Sequence, residues 1–269
     1  MNADHRSAHR IVMRSLPAIA AADGEQAPPD RVVYCVPAAG AGARSFLNPF
    51  ARSSLRACLR VVQLPGREDR LNDPCIDDIM DMAALIAAAI AEAGAGDYAL
   101  FGHSFGALVM LETARRLEQL HARTPALLAV AACPSPRVSS GVPFGKLEPA
   151  DLATALRGSG RLDSADPLGD ELAALVMPSL DADCGAVARY LGAPGHGEVA
   201  SPILAMGGAL DQIVTVEKMA SWRECTQSDF EFREYPGGHF FPLESDLPLR
   251  AVAEWRRGPG RDAVREESA

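Results

Sequence analysis

Residues 98–110 read Tyr98-Ala99-Leu100-Phe101-Gly102-His103-Ser104-Phe105-Gly106-Ala107-Leu108-Val109-Met110. Four residues of strand character precede Gly102, an apolar helical run follows Gly106, and the pattern G-x-S-x-G stands between them, which is the setting that pattern needs. A serine at the crest of such a turn is strained, and a glycine two positions to either side lets neighbouring backbone approach without a Cβ clash. The turn lifts the Ser104 hydroxyl clear of the sheet. It also aims the first helical N–H groups, led by that of Phe105, at the point where a carbonyl oxygen would gain negative charge. The competing reading is a Gly/Ser turn that matches a short pattern by chance; the strand before it and the helix after it weigh against that.

Working outward, short runs rich in β-branched and apolar residues recur at Val32–Val36, Leu59–Leu64, Ala126–Cys133, Pro202–Gly207 and Phe230–Tyr235. Helical periodicity fills residues 76–94, opened by Asp77 and Asp78 and ended by Gly94, and residues 106–120. This alternation predicts an α/β protein with a mostly parallel central sheet and helices on both faces. The strand rhythm fails between Pro134 and Ser201, where helix-like pieces (Glu148–Leu156, Asp170–Val176, Ala182–Leu191) lie among Pro, Gly and Asp clusters. A helical lid inserted over residues 135–200 explains that stretch, because open α/β sheets place ligands at the carboxyl ends of their strands. The core then comprises residues 31–134 and 201–257, and residues 1–30 and 258–269 read as flexible tails.

Composition narrows the function. The chain has 269 residues, is 48% hydrophobic and carries a formal charge of -9 without a lysine-rich stripe, so nucleic acid is not an expected partner. Cys35, Cys58, Cys75, Cys133, Cys184 and Cys225 show no zinc-ligand spacing and read as free thiols of a cytoplasmic protein. No apolar run reaches membrane-spanning length, and Leu16 to Ala22 is too short for a secretory segment. A monomer with no membrane association is expected.

A serine hydroxyl needs a base, and the base needs an orienting acid. His5 and His9 fall in the N-terminal tail, His121 ends a helix, and the backbone of His103 holds it away from Ser104. His196 lies in a Gly/Pro-rich lid loop. His239, in Pro236-Gly237-Gly238-His239-Phe240-Phe241, follows the last core strand and can reach the sheet's carboxyl edge, so it is the expected base. Asp211 follows the 203–206 strand through Gly207-Gly208-Ala209-Leu210 and is the expected acid, which gives the chain order Ser, Asp, His of the α/β-hydrolase fold. Asp181 and Asp183 compete for that role from the lid, where helix capping or solvation would also account for them. The second oxyanion donor should come from Val36-Pro37-Ala38-Ala39-Gly40-Ala41-Gly42; the Ala39 N–H is favoured, with Ala38 and Gly40 as neighbours able to replace it. The scheme requires no metal and no organic cofactor.

Taken together, the strand-Pro-x-Ala-Gly start, Leu64-Pro65-Gly66-Arg67-Glu68-Asp69-Arg70-Leu71, the Gly-His-Ser-Phe-Gly-Ala elbow and Gly-Gly-His-Phe-Phe resemble the type II thioesterases of polyketide and nonribosomal peptide synthases, over most of residues 32–245. Two details depart from that family: Gly40-Ala41-Gly42 stands where paired glycines are usual, and Asp181 where arginine is. The resemblance implies hydrolysis of acyl or aminoacyl thioesters from the phosphopantetheine arm of an acyl- or peptidyl-carrier protein, releasing stalled groups from the synthase. Such carriers are commonly acidic, so docking would need a local patch, for which Arg67, Arg70 and Arg137 are candidates beside the alternative of ordinary ion-paired arginines. Rival readings are a small-molecule carboxylesterase or lipase-like hydrolase and a non-catalytic binding module on the same scaffold.

Overall fold

The computed structural model describes residues 11–15, 31–47, 50, 53–94, 96–138, 167–193, 195–256 and 263–266. Among these, eight strands form one sheet: β1 (Val12–Arg14), β2 (Val32–Val36), β3 (Leu59–Gln63), β4 (Tyr98–His103), β5 (Leu127–Ala131), β6 (Ile203–Gly208), β7 (Phe230–Tyr235) and β8 (Ala263–Glu266). Their spatial order is β1-β3-β2-β4-β5-β6-β7-β8, and only β1 runs antiparallel. The helices are α1 (Ala43–Leu47), α2 (Ile79–Ala93), α3 (Phe105–His121), α4 (Pro167–Gly192), α5 (Val216–Met219) and α6 (Leu247–Glu254).

The central strands are buried on both faces, so their side chains divide by parity. Tyr34, Val36, Leu100, Leu128 and Val130 pack with α2 and α3, whereas Val33, Cys35, Phe101, Ala129 and Ala131 pack with α1 and α6. The Asp78 carboxylate caps α2 by accepting from the Met80 and Asp81 N–H groups at 2.7 and 3.1 Å, and Gly94 ends that helix in the left-handed conformation.

The strand order reverses at β2: the chain steps from β2 out to β3, then returns to lay β4 on the other side of β2. Beyond the paired ends Val36 and Gly102, the loops after β2 and β4 therefore diverge around a crevice, the position where doubly wound sheets bind ligands. That reversal brings the 37–42 loop beside Ser104.

Two findings differ from the expected tails. Val12–Arg14 extends the sheet as an edge strand with Val12 opposite Gln63, and Arg14 ion-pairs with Asp69. The apolar run Ile11 to Met13 reaches β3 before Arg14 interrupts it, and Ile11 is buried. Residues 263–266 likewise pair in parallel with β7.

The lid also differs in form. The pieces expected at Asp170–Val176 and Ala182–Leu191 are one helix, α4, with Pro178 inside it; Glu148–Leu156 lies outside the described residues. A proline in a helix interior costs on the order of 3 kcal/mol. Burial of Leu180, Ala186, Val187 and Tyr190 along one stripe of α4 offsets that cost. The stripe is anchored on α3, where the Tyr190 hydroxyl donates to Glu112 Oε1 at 2.7 Å and Arg115 Nη1 approaches both Glu112 oxygens at 2.9 Å.

Candidate active site

Ser104 sits between β4 and α3 with φ 54° and ψ −120°, a conformation a residue with a Cβ rarely adopts. Its N–H donates to the Ala131 carbonyl at 2.8 Å, which ties the turn to the end of β5. The two flanking glycines are required by contact. A Cβ at Gly102 would lie 2.3 Å from the Gly106 carbonyl oxygen, and one at Gly106 would lie 2.2 Å from that of Val36. Bare backbone is what allows α3 to start directly against the ends of β4 and β2.

Asp211 and His239 arrive from the adjacent strands β6 and β7. Gly208 closes β6 where a Cβ would lie 2.6 Å from the Gly238 carbonyl oxygen, so the loop after β7 crosses β6 at backbone contact. The Ala209 N–H donates to Tyr235 O and the Leu210 N–H to Gly237 O, both at 2.9 Å, and Gly237 takes φ 108°. These bonds bring the two loops into one layer.

The structure thereby joins the three residues singled out in the sequence. His239 Nδ1 lies 2.9 Å from Asp211 Oδ2, and His239 Nε2 lies 3.0 Å from Ser104 Oγ. A carboxylate only accepts, so Nδ1 carries the proton and the Nε2 lone pair faces the serine hydroxyl. Both separations lie within reach of proton transfer. Burial pushes the Asp211 carboxyl up, but the His239 hydrogen bond and charge, with the N–H groups of Val214 and Ile213 on Oδ1 at 3.0 and 2.8 Å, more than offset this and hold it below its ordinary value. The carboxylate therefore stays ionised.

The competing residues lie elsewhere. His196 packs against Tyr190 with its ring tilted, at 4.5 Å between ring centroids, and Asp181 is exposed on α4. Asp183 is fully buried, but it faces the 37–42 loop: Oδ2 accepts from the Gly40 N–H at 2.8 Å and Oδ1 from Arg67 Nη2 at 3.0 Å. The Gly40 amide is thus occupied, whereas those of Ala39 and Ala38, the other two weighed for the second donor, carry no such bond among the described residues. Among the described residues no acceptor is paired with the N–H of Ala39 or of Phe105.

The three arginines proposed as a docking patch are engaged within the protein. Arg67 is 5% exposed against Asp183, Arg70 Nε meets Asp73 at 2.8 Å, and Arg137 Nη2 meets Glu198 at 3.3 Å. Arg67 and Arg70 are buried in these ties, whereas Arg137 is exposed in a surface pair.

Two supporting residues were not assigned such roles from sequence. His103 is fully buried, and its Nε2–H donates to the main-chain carbonyl of His239 at 2.8 Å. Asp183 could have been found as the one charge on an otherwise apolar helical stripe. A cavity of about 480 Å³ opens beside the site, floored by the 38–42 loop and walled by Phe46 and Leu243, with Leu175, Val176 and Ser179 of α4 as its roof. Among the described residues, no group of three or more His, Cys, Asp or Glu side chains could hold a metal ion, and no helix is long and apolar enough to cross a membrane.

The parallel sheet, the strained serine elbow and the loops after β6 and β7 define an α/β-hydrolase. The thioesterase domain family matches residues 31–257; the chain belongs to that family and is a thioesterase. It is similar to thioesterase PikA5 of Streptomyces venezuelae, 33% identical over 210 residues that cover 78% of this chain and 74% of that protein. Among solved structures it resembles RedJ, a thioesterase from the prodiginine biosynthetic pathway in Streptomyces coelicolor, with TM-score 0.73 and 32% identity over 88% of this chain and 97% of RedJ. It also resembles BorB, a type II thioesterase from the borrelidin biosynthetic cluster, with TM-score 0.69 and 30% identity over 86% and 94%.

Proposed function

We propose that this chain is a type II thioesterase of polyketide or nonribosomal peptide biosynthesis that hydrolyses acyl or aminoacyl groups from the phosphopantetheine arm of a carrier protein, clearing stalled or misprimed synthases. The observation that carries the reading is the continuous path from Ser104 Oγ through the His239 imidazole to the Asp211 carboxylate. The names of RedJ and BorB support the pathway class.

In this mechanism His239 Nε2 takes the Ser104 proton as Oγ attacks the thioester carbonyl, and the N–H groups of Phe105 and Ala39 receive the oxyanion. The imidazolium then protonates the departing pantetheine sulfur. Water, deprotonated by the same nitrogen, cleaves the acyl-serine, and Ser104 recovers its proton as the acid leaves. Asp211 keeps the ring in the tautomer these steps need. The apolar cavity accepts the acyl chain.

Mass spectrometry of a panel of acyl-loaded carrier proteins incubated with the enzyme tests this reading. Deacylation should occur with the wild type and cease with Ser104→Ala. A strong preference for a free nitrophenyl ester over every loaded carrier would favour a small-molecule esterase instead, and failure of Ser104 to react with a fluorophosphonate would reject the nucleophile.

A further inference from the structure

The roof helix and the oxyanion loop share a buried carboxylate. Asp183 projects from α4, has no exposed surface, and divides its two oxygens between the Gly40 N–H and Arg67. The helix also seats directly on that loop: Gly40 takes φ 71°, and a Cβ there would lie 3.2 Å from both Leu180 Cβ and Val176 Cγ1. Arg67 is itself held in place, because the fully buried Gln63 accepts from the Ala43 N–H at 2.7 Å and donates to the Arg67 carbonyl at 2.9 Å. The loop is thus fixed at its downstream end by β3 and in its middle by α4.

A buried ion pair is poor value for stability alone, since apolar residues of similar size often serve as well or better. Burial pushes the Asp183 carboxyl above its ordinary value, with Arg67 and the Gly40 N–H pulling the other way, so the contacts to Gly40 and Arg67 are made against a desolvation cost. What an apolar residue cannot supply is an acceptor for the Gly40 amide. That bond fixes the plane of the Ala39–Gly40 peptide, which adjoins the peptide carrying the Ala39 N–H.

We propose that Asp183 is a positioning residue of the thioesterase reaction: by engaging Gly40 it holds the 37–42 loop in the conformation that offers the Ala39 N–H to the oxyanion, and it links that conformation to the docked position of α4. The inference rests on the reading of Ser104 as nucleophile and Ala39 as oxyanion donor. Docking of the roof and completion of the oxyanion hole then become one event, and by linkage whatever stabilises either must stabilise the other.

Two double variants separate this role from a structural one. Arg67→Gln with Asp183→Asn removes both buried charges and keeps a carbonyl acceptor for Gly40; Arg67→Met with Asp183→Leu removes the charges and the acceptor together. The positioning role predicts that the first keeps kcat within about threefold of wild type. The second should lose on the order of 10²-fold in kcat with KM within about twofold, even where urea denaturation shows equal stability. Equal kcat in two folded variants of equal stability would overturn the proposal. Should either variant fail to fold, the wild type decides by hydrogen exchange: a small fluorophosphonate adduct on Ser104 should slow exchange across residues 180–190, and unchanged exchange there despite a complete adduct would overturn it. If no adduct forms on Ser104, it is the underlying nucleophile assignment that fails.

Discussion

The ring of His103 donates from Nε2 to the main-chain carbonyl oxygen of His239 at 2.8 Å, so the residue preceding Ser104 braces the backbone of the imidazole that faces that serine. The two rings stand 5.5 Å apart, with the Phe240 ring edge-on to both. The elbow and the loop after β7 are therefore joined by a bond independent of the Ser104–His239 contact.

Replacing His103 with alanine should remove this brace while leaving Ser104, Asp211 and His239 all present. We expect kcat to fall on the order of 10-fold to 100-fold, because small displacements of a base are costly. The lost buried hydrogen bond should cost about 1–3 kcal/mol of stability. Steady-state kinetics on a nitrophenyl ester together with urea denaturation measure both.

Gly106→Ala places a methyl group 2.2 Å from the Val36 carbonyl oxygen and 2.7 Å from that of Pro37, both backbone atoms unable to move aside cheaply. The variant should lose about 3 kcal/mol or fail to accumulate as soluble protein. Gly94→Ala is a useful contrast, because nothing lies within 4 Å of the added carbon and only its φ of 66° penalises the change.

Asp211→Asn should lower kcat by roughly 10³-fold to 10⁴-fold by allowing the wrong His239 tautomer. It also has a pH signature in stability. The native carboxyl lies below its ordinary value, so its contribution is present above that value and is lost as pH falls through the lowered one. Thermal melts of wild type and variant should therefore differ by a constant amount from neutrality down to the ordinary carboxylate range, and converge only below it.

Thiol reagents provide a further test. Burial raises every cysteine: Cys35 and Cys133 lie far above the ordinary thiol value, and Cys58, Cys184 and Cys225 are pushed up to about 11. Only Cys75 and Cys184 are partly exposed. Iodoacetamide near neutral pH should label those two slowly, with esterase activity retained while they react, and the other four only after unfolding; rapid inactivation by one equivalent would contradict this.

The convergence of the three proposed triad residues and their strands was legible because each follows from local pattern: a strand, a turn demanding glycine, then a chemical side chain. Ser104, Asp211 and His239 all fit that form. Asp183, Arg67 and His103 do not: Asp183 meets the Gly40 N–H and the Arg67 guanidinium, and His103 meets the His239 carbonyl, all across distant segments, and such contacts leave no trace in spacing. The continuity of α4 was hidden for a related reason: Pro178 disfavours helix locally, and only burial against α3 outweighs it. The edge strand at Val12–Arg14 is three residues long, too short for alternation to register.

The roof of the cavity comes from one helix, inserted between β5 and β6, whereas the groups expected to break bonds come from the ends of four other connections. In the proposed reaction, the roof over the acyl chain and the groups that cleave its bond are therefore supplied by different stretches of the chain, tied together through Asp183. A transplant of residues 167–192 from a relative should alter which chains are accommodated without disturbing the nucleophile, provided the graft carries a carboxylate at the position of Asp183 to meet the Gly40 amide of its new host.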